Sequence, residues 1–578
     1  MIPDRDDPRW GPIPLPSWVE EIRPHQWDAV AETLEAYERG DDVVFLEAPT
    51  GSGKSLIAEL VRRTVNTPTT YACTTKALQD QLADTLPYAK VVKGRSNYLT
   101  QLGIVDENGM SKRWGRSAIT CLDCNRSEIE EDEGEEEWKC SWCRDVSQCS
   151  YQVAKREALQ ARLAVVNTSY LLTVAMGRNN FTRPFLVIDE ADTLEDELLR
   201  HLECVVGERT VRELGMPYPK LKTVESSWVE WSKVAWEIVE AAWKALPPTT
   251  HKSKLAHVRQ NRKLYELYLK LHDIQKELPN GGWVYDGYTR AVRDDRSRVA
   301  ARDERDGPII FRPVRVAERG HDLLWSHTRK ALLMSATILS DRLMAEDVGI
   351  VTSKEGQRPL TYSLVKVPST FPVENRPIHV VPVADMSHKN RAVGWDEMVE
   401  GVRAVLARHP HERILIHTVS YKLAHHLMNG LYSGGVNGEG VNRKIVSYDT
   451  SDMKDEALKE FKSNAACVLI ASSMDRGVDL PDDLCRVQIV AKIPFPNLDD
   501  KRISARRRGL GGQTWYRMQA IRTLVQMTGR GVRSKDDHAV TYILDSQFLD
   551  NLWQSRFLFP DWWKEALQFR LTKKHLLG

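Results

Sequence analysis

The chain has 578 residues, of which 42% are hydrophobic and 28% are charged. At about 100–200 residues per domain, this length predicts about three to five packed domains and excludes wholesale disorder. The sequence has no apolar run near the ~20 residues of a membrane span and no signal-peptide pattern, so we expect a cytoplasmic protein, or a nuclear one in a eukaryote. The 81 basic and 80 acidic residues give a net charge of +1, which neither indicates nor excludes a nucleic-acid partner.

Short apolar runs rich in β-forming residues alternate with helical patterns along the chain. The first series of runs lies at 43–48, 70–73, 163–166, 185–188 and 332–334. A second series begins near Pro377, with runs at 413–418, 444–448, 467–472, 487–493 and 539–544. This alternation is typical of mostly parallel sheets covered by helices. The sequence therefore predicts two α/β domains.

Two segments interrupt the first series. Residues 100–150 hold five cysteines and the acidic run EIEEDEGEEE, which we interpret as a solvated loop. Residues 195–325 lack a strand series and predict long amphipathic helices. Their tryptophans indicate a helix–helix core rather than a base-stacking platform; they are Trp228, Trp231, Trp236 and Trp243.

The segment APTGSGKS (48–55) follows the first strand-like run and precedes a helical pattern. Backbone N–H groups of such a turn cradle phosphates at a helix N-terminus. In this pattern Lys54 reaches the β- and γ-phosphates, and the Ser55 hydroxyl ligates Mg²⁺. The turn itself is formed by Gly51, Ser52 and Gly53.

The segment FLVIDEAD (185–192) supplies the acids that a phosphate-binding loop requires. Asp189 is a candidate for holding the Mg²⁺ shell, and Glu190 for orienting and deprotonating an attacking water. Taken alone, the segment is equally typical of an acidic strand–helix boundary with Asp192 as a helix cap.

The segment QMTGRGVR (526–533) follows an amphipathic stretch and places two arginines about one helical turn apart. Guanidinium groups suit the stabilisation of phosphate charge during phosphoryl transfer. Gln526, Arg530 and Arg533 are therefore candidate catalytic residues, although a surface helix with two arginines explains the pattern equally well on its own.

Together these motifs resemble those of superfamily 2 helicases, and they occur in the order of that superfamily. Further matching segments are RPHQ with Gln26, TTKALQDQL (74–82), MSAT (334–337) and SSMDRGVDL (472–480). Three more are similar to signatures of the XPD/DinG branch: KGRSNYL (93–99), CSYQVAKREALQARLAVVNTSYLL (149–172) and KIPFPN (492–497).

The resemblance implies an α/β fold of two RecA-like motor domains, the first carrying a metal-binding insertion and a helical arch insertion. The implied boundaries are 1–99, 151–195 and 326–372 for the first motor domain, 100–150 for the metal insertion, 196–325 for the arch and 373–578 for the second motor domain.

The resemblance also implies how the site is composed. ATP would lie between the motor domains, with Gln26 reading adenine and Gly477 and Asp479 lining the second-domain side. Gln526, Arg530 and Arg533 would sense the γ-phosphate, while Ser335 and Thr337 would couple hydrolysis to the grip on DNA. The implied activity is ATP-dependent 5′→3′ translocation on single-stranded DNA with unwinding of duplex, by a protein expected to be a monomer that binds single-stranded and forked DNA. Two alternatives stay open: an ATP-switched nucleic-acid clamp or translocase that does not separate strands, and an RNA-directed helicase.

The sequence departs from the branch at three positions. Asp192 stands where the branch more often has His, Thr100 stands where a first cluster cysteine is common, and Ser150 replaces the Pro that commonly follows the last cysteine. The first departure leaves the pair Asp189 and Glu190 intact, whereas the other two bear on the metal site.

Five cysteines within 29 residues indicate a metal rather than disulfides in a reducing compartment: Cys121, Cys124, Cys140, Cys143 and Cys149. The two C-x₂-C pairs alone have the spacing of a tetrahedral Zn²⁺ site. Four of the five could instead hold a [4Fe–4S] cluster that keeps Cys149 as the family's last ligand. The resemblance favours the cluster.

Overall fold

The computed structural model describes most of the chain. The described residues are 7–11, 15–98, 129–132, 135–138, 149–175, 181, 183–219, 221, 224–249, 255–286, 308–316, 318–351, 358–433, 441–448, 450, 453–472, 480, 482–529, 531–532 and 536–578. Among them, no helix is both long and apolar enough to cross a membrane.

Strands and α-helices alternate through the described residues. The strands are β1 Val43–Glu47, β2 Thr69–Cys73, β3 Lys90–Val91, β4 Ile129–Asp132, β5 Glu135–Trp138, β6 Leu163–Asn167, β7 Phe185–Asp189, β8 Cys204–Val206, β9 Trp283–Tyr285, β10 Ile309–Pro313, β11 Lys330–Ser335, β12 Tyr362–Lys366, β13 Ile378–Ala384, β14 Ile414–His417, β15 Ile445–Ser447, β16 Val468–Ala471, β17 Val487–Val490, β18 Val540–Asp545 and β19 Leu567–Gln568. The α-helices are α1 Pro24–Arg39, α2 Lys54–Val65, α3 Lys76–Thr85, α4 Ser150–Gln160, α5 Thr168–Ala175, α6 Leu194–Leu202, α7 Glu208–Glu213, α8 Glu225–Lys244, α9 Leu255–Glu277, α10 Glu318–Leu323, α11 Asp341–Asp347, α12 Arg391–Arg408, α13 Tyr421–Tyr432, α14 Lys454–Ser463, α15 Lys501–Arg508, α16 Gly512–Thr528, α17 Asp561–Lys564 and α18 Lys573–Leu577.

The first α/β domain is built on a parallel sheet in the order β12-β1-β11-β7-β2-β6-β3. Strand β1, which lies between β12 and β11, is buried at every position, as expected for a parallel strand covered on both faces. Val43 and Phe45 belong to the core on one face, and Val44 and Leu46 to the core on the other. All five strand-like runs of the first series are strands, which confirms the prediction for this domain.

The second α/β domain has a parallel sheet in the order β15-β16-β14-β17-β18-β13-β19. The five runs of the second predicted series form β14 to β18. Ile414 and Ile416 of β14 pack on one face, and Leu415 packs on the other.

The motif residues of the first domain lie at the carboxyl ends of β1, β7 and β11. Loops at this edge of a parallel sheet are where ligands bind.

The segment between β7 and β11 contains long helices, as predicted, but also a small antiparallel sheet in the order β8-β10-β9. The expectation that residues 195–325 lack strands is therefore wrong. β8 and β9 have three residues each, too short for a periodicity to be read, and they pair with β10 across long sequence separations. Trp228 and Trp231 are buried against Phe311 of that sheet, which confirms that these tryptophans form a core.

The acidic run in the cysteine-rich segment does not form the predicted loop. Its backbone forms the antiparallel hairpin β4–β5, in which Ile129 pairs with Trp138. Cross-strand backbone hydrogen bonds give an extended conformation to a sequence whose composition alone predicts none. Ile129 lies five residues after Cys124, and Trp138 lies two residues before Cys140.

Four buried ionisable side chains join the two domains. Arg506 of α15 donates to Asp347 of α11 at 2.6 Å and lies 3.5 Å from Glu195 of α6. Arg522 of α16 lies 4.0 Å from Asp347. Glu195 also accepts a hydrogen bond from Trp515 Nε1 at 3.1 Å. Buried charges require partners, so this cluster fixes how the domains meet.

We expect Asp347→Ala to destabilise the protein by about 3 kcal/mol or more, because it removes a partner of the buried Arg506 guanidinium. Burial, with the nearby Glu195 carboxylate, raises the pKa of Asp347 to about 8, so Asp347→Asn mimics the neutral form and should be milder. Arg342→Ala on the same helix is the control: its side chain is 79% exposed in a surface pair, which contributes ~0.5 kcal/mol or less. Chemical denaturation of the three variants checks this, and equal losses for Asp347→Ala and Arg342→Ala would contradict it.

Candidate nucleotide site between the two α/β domains

The loop between β1 and α2 is a tight turn that ends at the first residue of a helix. Gly51 and Gly53 have φ of 81° and 83°, a region in which side chains are strained. Ser52 donates to the Pro49 carbonyl both from its amide at 3.2 Å and from its hydroxyl at 2.7 Å. The loop is therefore held in shape by its own bonds, with the start of α2 facing the space where an anion would bind.

Gln26 of α1 packs against this loop. Its side chain is buried and donates to the Ser52 carbonyl at 3.1 Å, while its amide oxygen accepts from Arg23 N at 3.0 Å. A methyl group at Gly53 would overlap the Gln26 amide. Gln26 thus holds the loop through the Ser52 carbonyl. Its contact with adenine stays a prediction.

The acid at the end of β7 lies in the same pocket. Asp189 is buried and accepts from Tyr71 Oη at 3.1 Å and from Glu190 N at 3.0 Å. Burial raises the pKa of Asp189, and the positive charge of Lys54 opposes that rise. Lys54 itself donates to the Ala48 carbonyl at 3.3 Å. A buried carboxylate short of positive charge is a suitable ligand for a hard cation, so these residues fit Mg²⁺ beside a phosphate chain.

Glu190 has a left-handed backbone, with φ of 50°. Its carbonyl accepts from Thr193 N at 3.0 Å and from Thr193 Oγ1 at 2.8 Å, which holds the turn closed. Non-glycine residues in this conformation cluster at functional sites. The strain falls on the residue that the sequence assigns to the attacking water.

A hydrogen-bond network crosses from one domain to the other next to these acids. Asp192 accepts from Ser335 Oγ at 2.7 Å and from Gln526 Nε2 at 2.8 Å. Gln526 also donates to Thr337 Oγ1 at 3.1 Å. Asp192 and the pair Ser335 and Thr337 belong to the first domain, whereas Gln526 lies in the last turn of α16 of the second. The hydrogen bonds of this network therefore depend on the relative position of the two domains.

A narrow cavity opens between the domains beside the loop. Pro49 and Thr50 line it from the first domain, and Thr528, Gly529 and Val532 line it from the second. Pro49 and Thr50 adjoin the predicted nucleotide site, and Gly529 and Val532 belong in sequence to the segment 526–533.

Two family models match this chain. The model described as type III restriction enzyme, res subunit, matches residues 20–201, and the model described as helicase C-terminal domain matches residues 403–566. The first matched range contains the loop and acid pair, and the second contains Gln526. Residues from both matched ranges therefore lie at the inter-domain site.

Curated relatives and a solved structure are similar to the chain. A regulator of telomere elongation helicase 1 homolog of Drosophila grimshawi is 21% identical over 252 residues, which cover 39% of this chain and 25% of that protein. Its Drosophila melanogaster counterpart is 29% identical over 114 residues, covering 18% and 12%. The matches thus span about a quarter or less of these relatives. A solved XPD helicase aligns over 95% of this chain and 100% of its own, with a TM-score of 0.55 and 14% identity, and shares the fold.

The chain is thus similar to helicases over part of its length and shares the fold of the solved XPD helicase. Its two α/β domains are the RecA-like domains of that fold, as predicted.

Part of the predicted helicase site lies outside the described residues. This is so for Gly477, Asp479, Arg530 and Arg533, and for the cysteines Cys121, Cys124, Cys140 and Cys143. Cys149 is described: it is buried and directly precedes α4. Within the described ranges no group of three or more potential ligands is arranged to hold a metal ion, and the roles of the five cysteines stay predictions.

Several residues in and beside the candidate site are not indicated by the sequence. Tyr71 bonds Asp189 but lies in a strand whose pattern gives no signal. The sequence indicates Asp192 only as a helix cap or as a substitution for His, yet it is the acceptor shared by both domains. Glu47 was also missed, although a charged residue that ends an apolar strand just before a phosphate-binding loop is a usable signal.

We expect Gly53→Ala to weaken ATP binding at least ~10-fold, because the added methyl meets Gln26 and the φ of 83° is strained. Gly40→Ala is a matched control: Gly40 has φ of 105° but open space around it, so that variant carries the strain without the contact. Titration with a fluorescent ATP analogue measures both. Wild-type affinity in Gly53→Ala would show that this loop does not bind the nucleotide.

Proposed function

We propose that the protein is an ATP-dependent DNA helicase that translocates 5′→3′ on single-stranded DNA and unwinds duplex. The observation that carries the proposal is the bond from Gln526 to Asp192, which joins the second domain to the acid segment of the phosphate-binding domain. When two domains share a hydrolytic site, the hydrolysis of ATP can move one domain relative to the other.

The chemistry follows from the residues around the loop. Lys54 would hold the β- and γ-phosphates, and Ser55 and Asp189 would hold Mg²⁺, which neutralises phosphate charge when bound. Glu190 would orient the attacking water and take its proton. Arg530 and Arg533 would stabilise the charge that develops on the γ-phosphate. A site that needs both domains hydrolyses ATP only when the domains close.

Coupling to nucleic acid would pass through Ser335 and Thr337. Both hydroxyls are buried, and both contact groups whose positions depend on the acid segment and on α16. Opening the domains after hydrolysis would break the Gln526 bonds and shift this segment. An ATP-switched clamp that does not unwind would need no complete hydrolytic set, so the intact Glu190 supports a motor over a clamp.

The family resemblance supports the choice of DNA and of 5′→3′ polarity. Single-stranded and forked DNA would be the substrates of a monomeric enzyme. RNA is the competing substrate, since no described residue is identified as a reader of the sugar 2′ position, and the experiment below separates the two.

A metal site in the cysteine-rich insertion is the second part of the proposal. The hairpin β4–β5 brings together the backbone at Ile129 and Trp138, which lie close in sequence to the two C-x₂-C pairs. Four of the five cysteines would hold a [4Fe–4S] cluster, with Cys149 as the last ligand. Zn²⁺ on the two C-x₂-C pairs is the alternative.

ATP hydrolysis and strand separation test the motor. Glu190→Gln keeps the shape of the side chain but removes the base, and we expect DNA-stimulated turnover to fall at least ~100-fold with ATP affinity retained. Glu213→Gln, an exposed residue in a surface pair, is the control. Assays on 5′-tailed, 3′-tailed and forked duplexes, with DNA and RNA loading strands, should show unwinding of 5′-tailed and forked DNA. Unwinding of 3′-tailed duplex alone would contradict the proposed 5′→3′ polarity. A preference for RNA loading strands would contradict the proposal that DNA is the substrate.

Cys149→Ser distinguishes the two metals. With a cluster, anaerobically purified wild-type protein is brown, and the variant should lose iron and unwinding while binding ATP normally, because the nucleotide loop lies in another part of the chain. With zinc, the wild type is colourless and the substitution is nearly silent. Cys467→Ser, at a buried cysteine of the second domain, controls for the loss of a buried thiol. About one zinc and no iron per chain would overturn the cluster.

A further inference from the structure

Glu47 is a carboxylate at the end of a strand whose other residues are apolar. It is only 2% exposed, and its Oε2 atom accepts a hydrogen bond from the amide of Leu339 at 2.6 Å. Glu47 directly precedes Ala48, the first residue of the nucleotide loop. A buried carboxylate is costly to desolvate, so its single described acceptor bond calls for an explanation.

The amide that Glu47 holds belongs to a strained turn. Leu339 has φ of 65°, and Ser340 N donates to the Ile338 carbonyl at 2.8 Å, which closes a three-residue turn around it. Left-handed turns of this kind are rare for a branched side chain and are strained. The hydrogen bond from the Leu339 amide to Glu47 offsets that strain.

The turn presents Leu339 to the second domain. Its side chain is buried in a core cluster of that domain, with Trp515, Tyr516 and Ile521 among its members. Leu339 is thus a first-domain residue whose apolar surface is covered by second-domain side chains.

The turn also divides a segment that contacts the second domain on both sides. Before it, Thr337 contacts Gln526. After it, Ser340 caps α11, whose Met344 and Asp347 contact Arg522 and Arg506. The conformation of Leu339 therefore sets the relative positions of two inter-domain contacts.

The backbone of Glu47 lies between this segment and the chain leading to the second domain. Glu47 pairs with Ser335 of β11 on one side and with Lys366 of β12 on the other. Ala48 N donates to the Ser335 carbonyl at 3.0 Å, and Val367 N donates to the Glu47 carbonyl at 2.8 Å. Burial raises the pKa of Glu47, while the Leu339 amide and the Lys366 charge oppose that rise.

We infer that Glu47 is a positioning residue: it holds the Leu339 turn in its left-handed conformation and so couples the nucleotide loop to the second domain. This inference rests on the proposed function and adds to it a route from the loop to the second domain that does not pass through Asp192.

The first test separates coupling from nucleotide binding. In Glu47→Ala we expect ATP affinity within ~2-fold of wild type, whereas DNA-stimulated kcat and the unwinding rate should fall ~10-fold or more. Glu47→Gln keeps an acceptor oxygen and should retain most of both. Glu59→Gln is the control, because Glu59 is a buried carboxylate of the same domain that bonds Arg62, Arg63 and Tyr88 instead. A parallel loss of ATP affinity and turnover in Glu47→Ala would overturn the inference, as would normal coupling.

The second test addresses the turn itself. Leu339→Ala and Leu339→Gly both remove the side chain, but only glycine adopts a positive φ without strain. Combined with Glu47→Ala, the glycine variant should therefore keep several-fold more DNA-stimulated turnover than the alanine variant. Equal turnover in the two double variants would show that Glu47 does not act through the backbone of Leu339.

Hydrogen exchange provides a readout that does not depend on activity. The Leu339 amide should be protected in wild type and in Glu47→Gln and should exchange at least ~10-fold faster in Glu47→Ala. If wild type neither hydrolyses ATP nor unwinds DNA, the proposed function fails while the exchange data still report on the bond. If wild type is active but the protection is the same in all three proteins, the inference about Glu47 fails alone.

Discussion

The structure depends on one shared acceptor, the Asp192 carboxylate. Its two oxygens accept hydrogen bonds from Ser335 of its own domain and from Gln526 of the other. Both bonds are therefore made only when the two domains lie in one relative position. Removing one donor from a buried carboxylate leaves an unsatisfied charged group, which is more costly than the bond itself is stabilising. Asp192 follows the acid pair by two residues, and any shift of α16 is therefore felt at the end of β7, where Asp189 and Glu190 lie.

Two kinds of contact join the domains, and they differ in how they respond to separation. Leu339 is covered by an apolar cluster, which tolerates small displacements because dispersion and burial change gradually with distance. The cluster of Arg506, Asp347, Glu195 and Arg522 does not, since a buried guanidinium that loses its carboxylate must be rehydrated or re-paired. An interface with both kinds of contact therefore favours one relative position of the domains over small displacements from it. That property suits the proposed motor, in which the two domains would share one hydrolytic site.

The fold was largely predictable because parallel strands buried on both faces read as continuous apolar runs, and all ten runs found in the sequence are strands. The glycine loop and the acid pair were predictable for a similar reason, since their chemistry is set by adjacent residues. The three-residue strands β8 and β9 were missed because they are too short for periodicity and pair across long separations. Tyr71, Glu195 and Asp347 were missed because their partners are far away in sequence: the bond from Tyr71 to Asp189 spans 118 residues and that from Arg506 to Asp347 spans 159. Hydrogen-bond partners of this kind leave no local pattern.

The segment from Ser335 to Asp347 connects the strand beside the loop to the second domain. Ser335 pairs with Glu47 of β1 beside the loop, Leu339 is strained and held by Glu47, and Asp347 bonds Arg506 of α15. A strained turn between two anchored ends has few ways to move, because relaxing φ at Leu339 would withdraw its side chain from the second domain and rotate α11 with it. Motion of the loop would therefore reach α15 and α16 as one displacement of a stiff segment. In the inferred coupling, the backbone conformation of Leu339 therefore links the nucleotide loop to the second domain.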